Sequence, residues 1–577
     1  MIRTAQGLEQ RLIKLILIVF LLFLCISVVF PIIMLLDRSM HDRMDNFVGA
    51  ANFVKFFTNP GLFTSLINTL FVSVMTTVIS LPLGLGYAFF LSRFEIRGRV
   101  FFRLIAMVPL FAPTMLQGIA LRYLFGNKGL ITTGFFGWTE QVLGVGGINI
   151  HLYGPVGIII AEVFYTFPQV YMILTMALSM SDARLYEAAE SLYAKKHRLF
   201  LDVTLPGIKY GLISAAFVAF TLSFTDFGAP KIVGGNFNVL AVGIYKQVVG
   251  QQNFGLGSTI SIILMLPTFI AFLVDRYIQS RQRMTFSSKA VPLQRKYNKL
   301  MSNVGFIYCL IIVLMILLIV GAAIYASLVV AWPYNLNIGL RHFNFNDVAG
   351  NGIQAFWNSI TAALLSAFIG TAIVFSSAYM IEKIVELPWL RKISYLLSII
   401  PLALPGLVIG IAYIFFFNAP AFDVLGMEIP NPFNGIYGTI WIIVLANIIH
   451  FYSVNFLTAT TSLRKLDKEI EEVSKSLAIP FYKAFGRVTL PVNLHAVIEI
   501  FSYFFVNSMA TISAVIFLYS PKFKLASVLI VNMDDAGDIA EAAAMSVLIL
   551  LTNILFRMII AFIQGNIETY TEKWKRK

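Results

Sequence analysis

Charge is what this sequence has least of. Only 12% of its 577 residues are Asp, Glu, Lys or Arg, against 58% hydrophobic, whereas a water-soluble globular domain carries about 25% charged residues. That scarcity excludes a chain solvated mainly by water and leaves lipid as the principal solvent. Acid is scarcer than base, 29 residues to 43, for a net charge of +14. A basic surplus suits nucleic acid when it gathers on one face, but here it falls between apolar runs, as in a positive-inside membrane protein. No nucleic-acid partner is expected. Cysteine is nearly absent: Cys25 and Cys309 sit alone inside apolar runs with no CxxC pattern, which excludes a disulfide framework or a Cys/His metal site. No GxxxxGKS or GxxxxGKT stretch occurs, so no phosphate-cradling loop is present, and HExxH and GxSxG are missing too. The chain is not read as an enzyme, and it carries no cofactor or metal of its own.

Long apolar runs are what it has instead. A spanning helix needs about 20 mostly apolar residues, and twelve runs qualify. Six lie at 12–36, 62–92, 103–125, 155–180, 206–228 and 257–279; six more lie at 304–332, 355–382, 393–418, 437–460, 491–518 and 540–565. The first run is too long for a signal-peptide core and no small-residue cleavage site follows it, so it is read as a span. The two sets repeat. Asn68 corresponds to Asn358, and Pro109 and Pro113 correspond to Pro401 and Pro405 at the same spacing. An even number of spans per half makes the repeats parallel. The expected architecture is an all-α polytopic membrane protein of about twelve transmembrane helices in two parallel six-helix repeats. Residues 1–279 form the first half, 280–303 a basic cytoplasmic linker and 304–577 the second half. With both termini inside, the connections on the cytoplasmic side hold roughly 30 Lys and Arg against roughly 9 outside, which decides the orientation.

The clearest repeat is polar. Asp182–Pro206 (DARLYEAAESLYAKKHRLFLDVTLP) matches Asp467–Pro491 (DKEIEEVSKSLAIPFYKAFGRVTLP), pairing Glu187 with Glu472, Ser191-Leu192 with Ser476-Leu477 and Leu205-Pro206 with Leu490-Pro491. Asp182 and Asp467 are N-cap residues in type. Acidic residues follow in the early turns, where the helix dipole favours them. Leu185, Ala188, Ala189 and Leu192, and Ile470, Val473 and Leu477, give small apolar stripes at helical spacing. An ordinary solvated connection would explain one such loop; two at a fixed offset read as docking helices presented to a partner.

The segment resembles the EAA loop of permease subunits of binding-protein-dependent ATP-binding-cassette importers. Glu187-Ala188-Ala189 with Leu205-Pro206 matches that pattern closely, and Glu472, Val473 and Ser474 with Leu490-Pro491 match it loosely. Both copies depart at the family's glycine, which is Tyr193 and Ala478 here. The resemblance implies a fused pair of type I importer permeases, with Glu187, Ala188, Ala189, Ser191, Leu192, Leu205, Pro206, Glu472, Val473, Ser474, Ser476, Leu477, Leu490 and Pro491 coupling to ATPases. It also implies two copies of a cytoplasmic ATP-binding subunit that bind the ATP and Mg, a periplasmic or lipid-anchored solute-binding protein, and the bacterial inner membrane as location. Phe224–Phe237 (FTDFGAPKIVGGNF) is similar to ferric-ion permeases, and Thr511–Met545 to permeases assigned to 2-aminoethylphosphonate.

Polar groups inside spans are expensive in lipid and so are pathway candidates: Glu499, Asp226, Asn68, Asn358 and Glu162. Some have plainer readings, whereas Glu499, a lone carboxylate well inside its span, is harder to dismiss. Asp226 lies near an outer end where water reaches, and interhelical hydrogen bonds would explain the asparagines. The paired prolines are expected to break their helices and expose carbonyls. The rival to an importer is a secondary transporter of parallel six-plus-six form driven by an ion gradient.

Overall fold

A computed structural model describes residues 2–143, 146–285, 291, 293, 295, 298–346, 351–383, 387–424, 427–466, 473–474, 476–477 and 479–572. Among these, nine helices are each long and apolar enough to cross a membrane, and three bent pairs pass the same test together. In chain order the spans are Arg11–Ser39, Pro60–Arg93, the pair Arg99–Phe111 and Thr114–Phe125, Pro155–Ser179, Lys196–Thr225 and Phe254–Ile278. The second set is Lys299–Leu328, Gly352–Lys383, the pair Pro388–Ala403 and Gly406–Phe417, Ile440–Arg464, the pair Phe481–Val492 and Leu494–Ala510, and Ile539–Ile567. The expected fold class stands. Two short antiparallel hairpins follow the seventh and ninth spans, pairing Val329–Ala331 with Asn335–Ile338 and Ala421–Val424 with Met427–Pro430.

The third and ninth spans are broken, bending by 102° and 113°. Pro113 and Pro405 stand at the breaks with nearly identical backbone angles, φ −59° with ψ 146° and φ −59° with ψ 144°. A proline there removes a donor and clashes with the preceding turn, which ends one helix and opens the next. The carbonyls so freed were expected to line a cavity. Instead each break is satisfied from the opposite half. Asn553 of the twelfth span donates to the Phe111 carbonyl at 2.9 Å, and Thr268 of the sixth donates to the Ala403 carbonyl at 3.1 Å. An unsatisfied carbonyl in lipid is costly, so these bonds hold the halves together at both breaks.

The first span of each half also crosses over. Tyr413 Oη of the ninth span donates to the Ser27 carbonyl of the first at 2.8 Å, and Phe30 stacks on Phe416 with centroids 6.2 Å apart. In return Tyr308 Oη of the seventh span donates to the Leu83 carbonyl of the second at 3.0 Å, and Phe306 meets Phe102 edge-on at 5.5 Å. Small residues permit the approach: a Cβ on Gly86 would strike Tyr308, and one on Gly305 would strike Phe90.

The fifth span begins earlier than its proline suggested. The helix starts at Lys196 and runs through a π-helical turn, Leu199–Thr204, before Pro206. The eleventh repeats the π turn at Phe485–Thr489 but bends by 78° at Asn493. Asn493 Nδ2 donates to the Thr489 carbonyl at 2.7 Å and its Oδ1 accepts from Ser462 Oγ at 2.7 Å. A short amide bonding its own preceding turn competes with the helix ladder and kinks it. Ile208, at the equivalent place in the first half, has no such group.

Candidate coupling surface and translocation path

The first repeated loop forms the expected helix, Ala183–Ser191. Asp182 accepts the Arg184 N–H at 3.1 Å as its N-cap. One face turns inward: Ala183 and Tyr186 are buried. Arg93, at the end of the second span and itself buried, donates to Tyr186 Oη at 3.1 Å and lies 5.0 Å over the ring. Tyr186 Oη also bonds Thr204 Oγ1 at 2.9 Å. The helix is thus tied to both the second span and the π turn. The other face is bare. Glu187 and Ala188 are exposed, Ala189 is half-buried, and Ser191 bonds back to the Glu187 carbonyl at 2.9 Å. Leu192 and Tyr193 are 82% and 94% exposed. Tyr193 takes φ +56°, the left-handed conformation that glycine adopts freely and a tyrosine does not. The turn is kept even though the glycine is lost. The linker touches this loop as well, with Ala183 N donating to the Val291 carbonyl at 2.9 Å.

Asp467, Glu472 and Ala478 of the second loop lie outside the described residues. Val473, Ser474 and Ser476 are helical, and Val473 and Leu477 are 56% and 66% exposed. Pro480, like Lys195 at the equivalent place in the first loop, gives no side-chain cap and precedes the short helix Phe481–Ala484. Leu205 and Leu490 are half-buried and Pro206 and Pro491 exposed, so both loops re-enter their spans alike.

The path candidates divide. Asn68 and Asn358 are bolts. Asn68 Nδ2 donates to the Asn238 carbonyl at 2.9 Å while Thr69 Oγ1 accepts from Leu240 N at 2.9 Å. Asn358 Nδ2 donates to the Lys522 and Lys524 carbonyls at 3.2 and 3.1 Å while Ser359 Oγ accepts from Ala526 N at 2.7 Å. Each pair pins a loop against the second span of its half, the plainer of the two readings. Glu499, expected as an isolated carboxylate, is not isolated. Arg557 on the neighbouring twelfth span forks onto its two oxygens at 2.9 and 3.0 Å, and both side chains are partly exposed. Glu162 is different: it is fully buried, and its carboxyl pairs with the Asp226 carboxyl rather than with a cationic or amide group. Asp226, at the end of the fifth span, stands beside it and accepts the Ala229 N–H at 2.9 Å.

At the end of the bundle opposite the loop helices, charges cross between the halves. Lys231 Nζ lies 2.6 Å from Asp535 Oδ1, and Arg122 lies 3.3 Å from Asp534 Oδ1. Tyr245 Oη donates to Asp535 Oδ2 at 3.3 Å. Burial pushes the Asp534 carboxyl above its usual range, with Arg122 and Lys231 opposing the shift. A cleft of about 440 Å³ opens beside them, lined by Lys231, Tyr245, Lys246, Gln251 and Asp535. Sequence reasoning missed these pairs. The signal available was two adjacent aspartates closing an otherwise apolar helix, Ala526–Ala536. No three His, Cys, Asp or Glu side chains converge as a metal cage among the described residues.

Residues 79–284 and 378–569 each match the family described as the binding-protein-dependent transport system inner membrane component. The chain belongs to this family. It is a multi-pass permease of the ATP-binding-cassette importer class, fused from two family units, and not an enzyme in itself. Relatives agree. The chain is 26% identical over 493 residues to the ferric transport system permease protein FbpB of Actinobacillus pleuropneumoniae, covering 83% of this chain and 68% of the relative. It is 24% identical over 507 residues to the Fe(3+)-transport system permease protein FbpB 2 of Haemophilus influenzae, covering 86% and 89%. It is also 26% identical over 241 residues to the inner membrane ABC transporter permease protein YcjO of Escherichia coli, covering 40% of this chain but 79% of that one.

Proposed function

We propose that this permease forms the transmembrane path of a ferric-ion importer and takes its power from two cytoplasmic ATPase subunits. The carrying observation is the repeated loop. Glu187, Ala188, Leu192 and Tyr193 in the first half, and Val473 and Leu477 in the second, face solvent on short segments fixed to their spans. An exposed apolar stripe on an anchored helix suits insertion into a cleft of a partner. Glu472, Ser474, Ser476 and the Leu-Pro pairs complete these two levers. The charge asymmetry of the connections supports placing both levers and both termini in the cytoplasm. ATP and Mg then belong to the partner subunits.

Ferric ion is favoured over 2-aminoethylphosphonate because the long relatives are ferric transport permeases by name. A periplasmic or lipid-anchored binding protein delivers it to the opposite face, where the Lys231–Asp535 and Arg122–Asp534 pairs hold the halves together. This arrangement corresponds to a path closed outside and poised to open inside. ATP-driven closure of the motors pushes the levers together and parts those pairs. The deciding experiment reconstitutes the chain with its ATPase and ferric-loaded binding protein in vesicles. ATP-dependent iron accumulation and two bound ATPase copies are expected. Accumulation driven by an ion gradient without ATPase would overturn the proposal.

A further inference from the structure

Two short helices lie at the end of the bundle opposite the levers, one from each half, and each is hung from its second span by a hydroxyl. Leu240 N donates to Thr69 Oγ1 at 2.9 Å to start Leu240–Tyr245, and Ala526 N donates to Ser359 Oγ at 2.7 Å to start Ala526–Ala536. Their far ends meet across the junction of the halves, Tyr245 Oη donating to Asp535 Oδ2 at 3.3 Å. The two sides of that meeting carry opposite charge. The first half brings Lys246, next to Tyr245, and Lys231 from the neighbouring helix Gly228–Val233. The second half brings Asp534 and Asp535.

The charges are not evenly matched. Lys231 Nζ is held 2.6 Å from Asp535 Oδ1 and lies 5.2 Å over the Tyr245 ring, and Arg122 takes Asp534. Lys246 meets only a neutral oxygen, Asn238 Oδ1, at 2.6 Å, and no carboxylate among the described residues. Both lysines line the cleft of about 440 Å³, where Asp535 is the one acid among the described residues. The cleft therefore offers one ammonium with no counter-charge beside another whose counter-charge belongs to the opposite half. Lys246 and Asp535 are exposed, so the site is open to solvent. An ion pair in such a place contributes little net stability, and a competing carboxylate replaces its acid at small cost.

We propose that this cleft receives an acidic side chain of the solute-binding protein, which docks on Lys246 and takes Lys231 from Asp535. Docking then undoes one of the two ion pairs that hold the halves closed at this end. Arrival of the partner and release of the closure are a single exchange of carboxylates on Lys231. The incoming acid is directed to the first half, because the second half presents two aspartates that repel it. This inference rests on the importer reading, and its experiment separates the two.

The complete complex in vesicles is titrated with ferric-loaded binding protein, and ATP hydrolysis and iron uptake are read against its concentration. Lys246→Glu is expected to raise the half-maximal concentration by about tenfold or more. Lys246→Gln should raise it by about threefold and flatten its dependence on salt, since rim charges set association and its screening. Lys231→Met and Asp535→Asn break the same pair, so a closure that plays no part in docking predicts the same response from both. If Lys231 also receives the partner's acid, Lys231→Met raises the half-maximal concentration, whereas Asp535→Asn leaves Lys231 free and lowers it. Changing the binding protein's Asp and Glu residues one at a time to Lys should find one that restores docking to Lys246→Glu. An unchanged half-maximal concentration in Lys246→Glu overturns the proposal, as do shifts of the same sign in Lys231→Met and Asp535→Asn, or a scan with no rescue. Wild-type vesicles that show no hydrolysis stimulated by the binding protein would instead sink the importer reading.

Discussion

The two repeated loops share a sequence pattern and re-enter the membrane through spans of different shape. In the first, a capped helix is tied by Tyr186 to Arg93 and Thr204, and the span behind it runs unbroken from Lys196 to Thr225. In the second, the span behind the loop kinks by 78° at Asn493. What survives in both is the π turn and the buried threonine before Leu-Pro, Thr204 and Thr489. If the loops act as levers, the shared re-entry is the part that both must keep, and the shape of the span behind it is free to differ.

The largest effect should come from treating the levers as one system. Charge reversal of both Glu187 and Glu472 to Lys is expected to abolish uptake and ATPase association while membrane insertion stays normal; co-purification and transport assays read both. If the halves are mechanically equivalent, the two single reversals will be equally damaging. If the tie through Tyr186 gives the first loop the larger share of the coupling, Glu187→Lys will be the worse of the pair.

The next effect isolates that tie. Tyr186→Ala leaves the buried Arg93 guanidinium without its hydroxyl and ring partner, a loss of about 2–3 kcal/mol for a charged donor left unsatisfied. Tyr186→Phe keeps the ring beneath Arg93 and loses only the hydroxyl, at about 1–2 kcal/mol. Thermal unfolding of the purified chain measures both. ATP hydrolysed per ion transported should rise in Tyr186→Phe, because a loosened lever wastes closure; an unchanged ratio would make the tyrosine a packing residue only.

A smaller effect is expected at the opposite face. Lys231→Met and Asp535→Asn each remove one member of a partly exposed pair, and their double-mutant coupling should fall within about 0.5–3 kcal/mol. Both should raise ATP hydrolysis in the absence of binding protein, since the closed outer end is what they weaken. A coupling energy of zero would show that the pair does not hold the halves together.

The sequence made the spans, the parallel repeat and the lever helix legible because each rests on local signals: apolar length, proline spacing, an aspartate before a helical stripe. The breaks at Pro113 and Pro405 were visible for the same reason. Their repair by Asn553 and Thr268 was not, because it pairs residues hundreds of positions apart with no periodic mark. The exchange of first spans was hidden too, since a helix apolar on every side does not say which neighbour it meets. Glu499 misled by looking solitary in its own span when Arg557 was one span away. Glu162 and Asp226 were legible as misfits in lipid, and their pairing with each other, 64 positions apart, was not.

The smallest effect concerns one backbone angle of the first loop. Tyr193 holds φ +56° at the place where the family pattern has glycine, and a left-handed non-glycine residue costs about 1–2 kcal/mol. Tyr193→Gly should therefore stabilise the chain by up to about 1 kcal/mol, the entropy of the freer unfolded glycine offsetting part of the relief. It also deletes a ring that is 94% exposed, and so surface offered to the ATPase. Tyr193→Ala separates the two effects, because alanine loses the ring and keeps the strain. Thermal unfolding should rank glycine above tyrosine and alanine. If the ring is what the ATPase reads, association should weaken equally in both variants; if it reads the turn, alanine and glycine will differ.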